Sequence, residues 1–511
     1  MIKKRIEWNY KTILCILFAI LILASIVARV RMLSLDISLW NDEALLAENV
    51  VGRDFAGMLT PPLANLQTAP ALYLIVVKAL TFVFGTSEWV LRVYSLVCLA
   101  LMLIAQGILM RKSYGVRPLY TVFALAVSAT FLYYMRYSGE FKPYMGDALF
   151  ALVVLLAYHL YRNHRIPALL LAGAFSVSML FSTPAAFFAA GCLIVELALK
   201  IRRRDRRAIL LAILAGAIVL AVFLLNYKLW LEPIATDGDM QWYWRENRFS
   251  FRFFDAAAME KNYWLFYNLL EPLGSLRIFV LVLAGAGFLV SLARRHVPTL
   301  AVGVAGVLLL AASSAALYPL QNRLWMFAFV LLFVYAFVFL SSLRFALPQG
   351  KAARAVQSAV PLLLAFVLLV PNARFLDYGR GAQWTLTPGC QANPLIAYLQ
   401  EAMRDDETLY CYHSAAPILK YKIGYDTDRI GDVSHDNILF GSNWDFAGDV
   451  ERIVEASEKG GVYILFYHAY KPLSGDDEIE KLVAALDEKG YMEKILDEYE
   501  TPLYWFSTQE W

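Results

Sequence analysis

Residues 12–50 read TILCILFAILILASIVARVRMLSLDISLWNDEALLAENV. The opening apolar run is about 20 residues long, the length that crosses the hydrocarbon core of a bilayer. It is longer than a signal-peptide core, and no small-residue cleavage site follows, so it reads as a first transmembrane helix. The run closes on Arg29 and Arg31. Beyond it, Leu39–Val50 sets Asp42 and Glu43 side by side where membrane gives way to water. Carboxylates near hydrocarbon are costly, and those that occur there tend to serve a site.

The rest of the chain repeats the pattern of that first run. The 511 residues are 59% hydrophobic and 17% charged, well on the apolar side of a soluble domain. Eleven spans are expected: 12–34, 88–110, 118–135, 147–162, 166–182, 184–200, 208–229, 276–293, 298–318, 323–343 and 355–372. The fifth and sixth form a tight pair broken at Ser182-Thr183-Pro184. The net charge of +3 says little, but the placement of the basic residues orients the chain. Lys3, Lys4, Arg5 and Lys11 precede the first span. Arg111, Lys112 and Arg117 follow the second, and Arg162 and Arg165 the fourth. The run Ile201–Arg207 follows the sixth, Arg294 and Arg295 the eighth, and Arg344, Lys351 and Arg354 the tenth. With eleven spans all of these fall on one side, the cytoplasm.

The expected architecture is a polytopic α-helical membrane domain over 1–372, with outer loops 35–87, 136–146 and 230–275. A small extracytoplasmic α/β domain follows over 373–511. The N-terminus is expected inside and the C-terminus outside a cytoplasmic (inner) membrane. Ala69–Gly85 is apolar but short and carries Lys78. It reads as interfacial or re-entrant, since a further span would move every later basic loop to the other side. The aromatic-rich 230–275 reads as an interfacial belt or an acceptor-facing surface. In the final domain Asn393–Arg404 and Asp476–Glu488 read as helices. Thr408–His413, Val462–Tyr467 and one or two strands within Tyr491–Phe506 complete the alternation. Cys15, Cys98 and Cys192 lie in spans. Cys390 and Cys411 form a disulfide or remain two thiols.

Four groups carry candidate chemistry. Asp42 and Glu43 either cap a short helix Glu43–Val50, with Asn41 or Asp42 as the cap, or supply a general base. A second carboxylate beside the base can hold a metal or the acceptor. Glu140, Lys142 and Asp147, in RYSGEFKPYMGD at 136–147, read as an N-cap with a surface ion pair, or as site residues. Tyr318 and Arg323, in YPLQNR, either belong to an ordinary loop or place a guanidinium where it matches a phosphate. Arg29 and Arg31 contact an anion or snorkel to outer headgroups. The six histidines are scattered without ligand spacing, and no nucleotide-binding loop appears.

Together the motifs resemble the GT-C class of membrane glycosyltransferases. The branch is the family 39-like one that includes protein O-mannosyltransferases and the aminoarabinose–lipid A transferase. Ser38–Ala47 is similar to the acidic motif of the first outer loop, and Ala69–Leu91 to the helix and turn after it. Tyr137–Asp147 is similar to the second-loop motif, and Tyr318–Arg323 to a later segment with an Arg near the lipid phosphate. Asn41 departs from the Tyr that many relatives carry before the acid. The resemblance covers roughly residues 8–372. It implies a polyprenyl-phosphate-linked sugar donor and a lipid, glycan or protein acceptor, with inverting transfer on the extracytoplasmic face. Asp42 is then the base with Glu43 beside it. Glu140, Lys142 and Asp147 shape the site, and Tyr318, Arg323, Arg29 and Arg31 contact substrate. The resemblance implies no certain cofactor, and the acids are compatible with a divalent cation. Membrane lipids are partners and nucleic acid is not. The alternatives are a lipid-linked oligosaccharide polymerase or ligase, a polyprenyl-lipid transporter or flippase, and a glycan-binding scaffold.

Overall fold

The computed structural model describes residues 10–35, 37–343, 351–370, 372, 391–424, 429–430, 433–434, 437–442, 445–467, 478–497 and 501–509. Lys3, Lys4, Arg5, Arg344, Cys390, His435 and His468 lie outside them. The chain divides into two compact units. The first holds residues 1–32, 68–76 and 92–381; the second holds 33–67, 77–91 and 382–511.

The first unit is a multi-pass helical membrane domain, and each expected span coincides with a helix. Among the described residues, seven helices are long and apolar enough to cross a bilayer. They are Tyr10–Leu33, Glu88–Ser113, Tyr144–Arg162, Arg206–Ala235, Glu271–Ala293, Val297–Ser314 and Asn322–Ser342. Pro118–Thr130 and Ala168–Phe181 are apolar but shorter. The third expected span is shorter than its hydropathy suggests because Phe131 leaves helical geometry at φ −59°, ψ 118°. A separate turn, Leu132–Tyr137, follows it.

Packing sorts the helices. Met326–Ser342 is almost wholly buried. Arg206–Asn226 turns Leu210, Leu211, Leu214 and Leu220 outward, as a helix bathed in lipid tails does. Without a hydrophobic drive between helices in lipid, association rests on close backbone approach at small residues. Gly287 of Arg277–Ala293 is such a residue, since a Cβ there would lie 1.9 Å from the Tyr335 carbonyl oxygen. Gly191 serves likewise, with a Cβ 2.5 Å from the Ala301 oxygen.

The second unit is built on a five-stranded sheet in the order 438–440, 408–411, 462–465, 502–507, 491–497. The first three strands are parallel, and the last two join antiparallel. Tyr410, Ile464, Phe466 and Phe506 form one core with Val450, Ile453, Leu482 and Leu486 from the helices Phe446–Ser457 and Glu478–Asp487. The strand Ile438–Phe440 and the helices Phe446–Ser457 and Ala416–Ile423 add to the sequence reading. Cys411 is buried in its strand.

Early segments belong to this unit. Ser38 Oγ accepts from the backbone N–H groups of Ala392 and Asn393, both at 3.0 Å, and so caps the helix Asn393–Ala402 from far upstream. Tyr467 Oη donates to the Leu39 carbonyl, and Lys422 pairs with Glu88. The apolar helix Ala71–Phe84 has 14 residues, as many as Ala168–Phe181, and its residues divide between the two units after Val76.

Candidate active site

In the membrane unit the loop 136–146 is drawn inward. Ser95 Oγ lies 2.7 Å from the Glu140 carbonyl oxygen and 2.9 Å from that of Lys142. Phe141 lies under Tyr73, with ring centroids 6.1 Å apart. As a result Glu140, Lys142 and Asp147 are 1%, 5% and 5% exposed. The expected surface ion pair is therefore a buried charge cluster. Glu140 pairs with Arg136 at 2.8 Å, one helical turn earlier. Burial works to lower the Arg136 pKa, but the charge of Glu140 beside it prevails and holds the guanidinium protonated. Arg29, 2% exposed, reaches the same loop by donating from Nε to Ser138 Oγ at 2.8 Å.

Asp147 does not cap its helix as expected, because the helix begins earlier, at Tyr144 after Pro143. It sits instead within the first turn. Its Oδ1 is buried and has no hydrogen-bond partner among the described residues, and Ser182 lies beside it outside bonding geometry. Tyr318 is close enough to Asp147 to feel its charge, and Tyr318 Oη donates to the Leu324 carbonyl at 3.1 Å. Arg323 donates from Nε to Gln321 Oε1 at 2.8 Å and stands 5.8 Å from the Trp244 ring. Burial pushes the Tyr137 phenol up, while Arg136 and Arg323 act to lower it, which places Arg323 within electrostatic reach of the loop. Arg31 is exposed. Two residues on from Arg29, it points about 200° around the helix, away from this cluster.

In the second unit the acid pair opens the helix Asn41–Val50. Neither Asn41 nor Asp42 is the cap; Trp40 occupies that position. Glu43, fully buried, reaches back so that Oε2 accepts from the Trp40 N–H at 3.2 Å, the carboxylate half of a capping box. Asp42, on the next position around the turn, is partly exposed. The two acids thus differ: Glu43 fixes the turn, and Asp42 is partly exposed. The helix is held by the helix Ala416–Ile423 and by Asn49, whose Oδ1 accepts from the Ala64 N–H at 2.7 Å.

Sequence reasoning missed Arg136, Ser138 and Ser95. The i,i+4 spacing of Arg136 and Glu140 was the available signal. The two serines carry none, since their role depends on distant chain segments. Among the described residues no three His, Cys, Asp or Glu side chains come together as a metal donor set.

The fold is similar to that of ArnT from Cupriavidus metallidurans in the apo state. The match has a TM-score of 0.57 at 11% identity and covers 96% of this chain and 97% of that one. The chain has the GT-C fold. The same ArnT bound to undecaprenyl phosphate matches with a TM-score of 0.51 at 12% identity over 96% and 97% of the two chains. The Archaeoglobus fulgidus oligosaccharyltransferase, in complex with Zn and sulfate, matches with a TM-score of 0.53 at 12% identity over 87% of this chain and 67% of that one. No family model and no curated protein matches the sequence.

Proposed function

We propose that this GT-C chain is a glycosyltransferase that moves a sugar from a polyprenyl phosphate to a lipid, glycan or protein acceptor. The observation that carries the reading is the set of ionisable groups buried in one membrane unit: Arg29 at 2% exposure, Glu140 at 1%, Lys142 and Asp147 at 5%. Charges held inside a membrane domain are kept for function rather than stability. Opposite signs within one loop suit a substrate that brings its own phosphate.

Asp42 takes the proton of the acceptor hydroxyl. The hydroxyl oxygen then bonds to the anomeric carbon from the face opposite the phosphate, and the bond from that carbon to the phosphate oxygen breaks. The leaving polyprenyl phosphate keeps the electron pair, and Arg323 stabilises the charge as it develops. Glu43 holds the turn that carries Asp42. Glu140, Lys142, Asp147, Tyr318 and Arg29 shape and charge the substrate cavity. The reaction face is extracytoplasmic, in a cytoplasmic membrane with the N-terminus inside, and 373–511 forms the outer domain. The support is the positive-inside pattern, the sequence motifs and a fold whose solved examples include one bound to undecaprenyl phosphate.

The test is the lipid extract of cells carrying only the Asp42→Asn protein. A polyprenyl-phosphate sugar should accumulate relative to wild type, by mass spectrometry. An unchanged lipid profile refutes the assignment of Asp42.

A further inference from the structure

At the other end of the membrane unit a second buried acid gathers cations, and nothing in the proposed transfer uses it. Glu196, 3% exposed, lies in the helix Ala185–Arg203. Tyr158 Oη donates to its Oε2 at 3.0 Å, Arg162 pairs with the same oxygen at 3.1 Å, and Lys200 pairs with Oε1 at 3.1 Å. These groups open into a cavity of about 600 Å3 lined also by Tyr161, Arg165 and Arg203. Four cations there face one carboxylate. Glu196 fixes Arg162 and Lys200 in place. Arg165 and Arg203 are exposed, and their guanidinium groups make no hydrogen bond or ion pair among the described residues.

We infer that this cavity binds the phosphate headgroup of an anionic glycerophospholipid. The cavity carries excess positive charge, and its paired Arg162 and exposed Arg165 and Arg203 offer donors that match phosphate oxygens. Lipid is favoured as the source because the neighbours in sequence are apolar and turned outward: Leu169 and Leu170 follow the lining residue Pro167, and Ile201 lies between Lys200 and Arg203. Acyl chains have a surface to lie on where the headgroup is held. The loops that supply these cations are the ones the positive-inside pattern assigns to the cytoplasm, and basic pockets between helices on that side recognise anionic headgroups. The inference rests on the span order and the cavity, not on the transferase assignment.

The test uses the full chain in detergent and native mass spectrometry with phosphatidylglycerol and phosphatidylcholine, together with calorimetry against inorganic phosphate. Phosphatidylglycerol should bind in preference to phosphatidylcholine, and inorganic phosphate should give no heat. The double variant Arg165→Ala/Arg203→Ala should weaken phosphatidylglycerol binding by roughly 30-fold, taking each surface charge at about 1 kcal/mol and each decade at about 1.4 kcal/mol. The Arg165→Lys/Arg203→Lys pair should keep most of it. Equal binding of the two lipids by wild type overturns the inference, as does a Lys pair that fails as badly as the Ala pair. Tight binding of inorganic phosphate overturns the lipid source. If the arginines only offset the helix C-termini, the Ala pair lowers the thermal midpoint and leaves lipid preference intact, which overturns it too.

Discussion

Both units bury carboxylates, and Asp147 of the membrane unit is held unlike those of the α/β unit. In the α/β unit Asp449 accepts from Tyr410 Oη at 2.8 Å and from the Ser442 N–H at 2.9 Å, and pairs with Arg452. Glu407 accepts from the Arg404 N–H at 2.8 Å and from Trp505 Nε1 at 3.2 Å. Each oxygen is answered, so the charge is part of the scaffold. In the membrane unit Asp147 is as deeply buried, yet its Oδ1 goes unanswered among the described residues. An unanswered buried acid destabilises its own fold. The contrast separates acids that hold a structure from an acid that the structure tolerates for another reason.

That contrast can be broken in four ways. The largest effect is expected at Asp42, where Asn should cut transfer by about 10²–10⁴-fold, the span of a lost general base, with the helix Asn41–Val50 and the melting curve unchanged. Next comes Asp449→Ala, which should destabilise the α/β unit by about 3 kcal/mol, because Tyr410 and the Ser442 N–H lose their acceptor; chemical denaturation followed by Trp fluorescence measures it. Asp147→Asn should do the reverse, lowering transfer while the melting temperature holds or rises. A melting loss like that of Asp449 would place Asp147 among the scaffold acids. The smallest effect belongs to Arg31→Ala, which should leave transfer within about twofold, whereas Arg29→Ala, by removing the partner of Ser138, should lower it further; parallel turnover assays decide.

The membrane fold was legible because hydropathy and basic loops report on local chain, and each span from 12–34 to 355–372 met a helix. What hydropathy could not see was where a span breaks. Phe131 is as apolar as its neighbours, and where it leaves the helix its ring packs against Phe329 and Phe333, at 5.4 and 5.3 Å. The charged candidates were visible as residue types, but their burial was not. Glu140 and Lys142 lie in a loop rich in Gly, Lys and Tyr that reads as surface. It is buried because Ser95 and Arg29, from distant helices, hold it. The capping of Glu43 onto Trp40 was half visible. The acid stands in the expected turn, but the cap is Trp40 rather than one of the polar residues after it.

The second unit has one further consequence, for the order of events as the chain is made. Its members are synthesised at both ends of the sequence: residues 33–67 and 77–91 come early, and 382–511 come last. Ser38, Leu39 and Glu88 must wait for Ala392, Tyr467 and Lys422 before their bonds can close. Contacts so far apart in sequence form late and slowly. The helix bearing Asp42 therefore acquires its native surroundings only after the C-terminus has been delivered. A nascent chain, or one cut short before residue 382, carries its acids without the clasp that sets them.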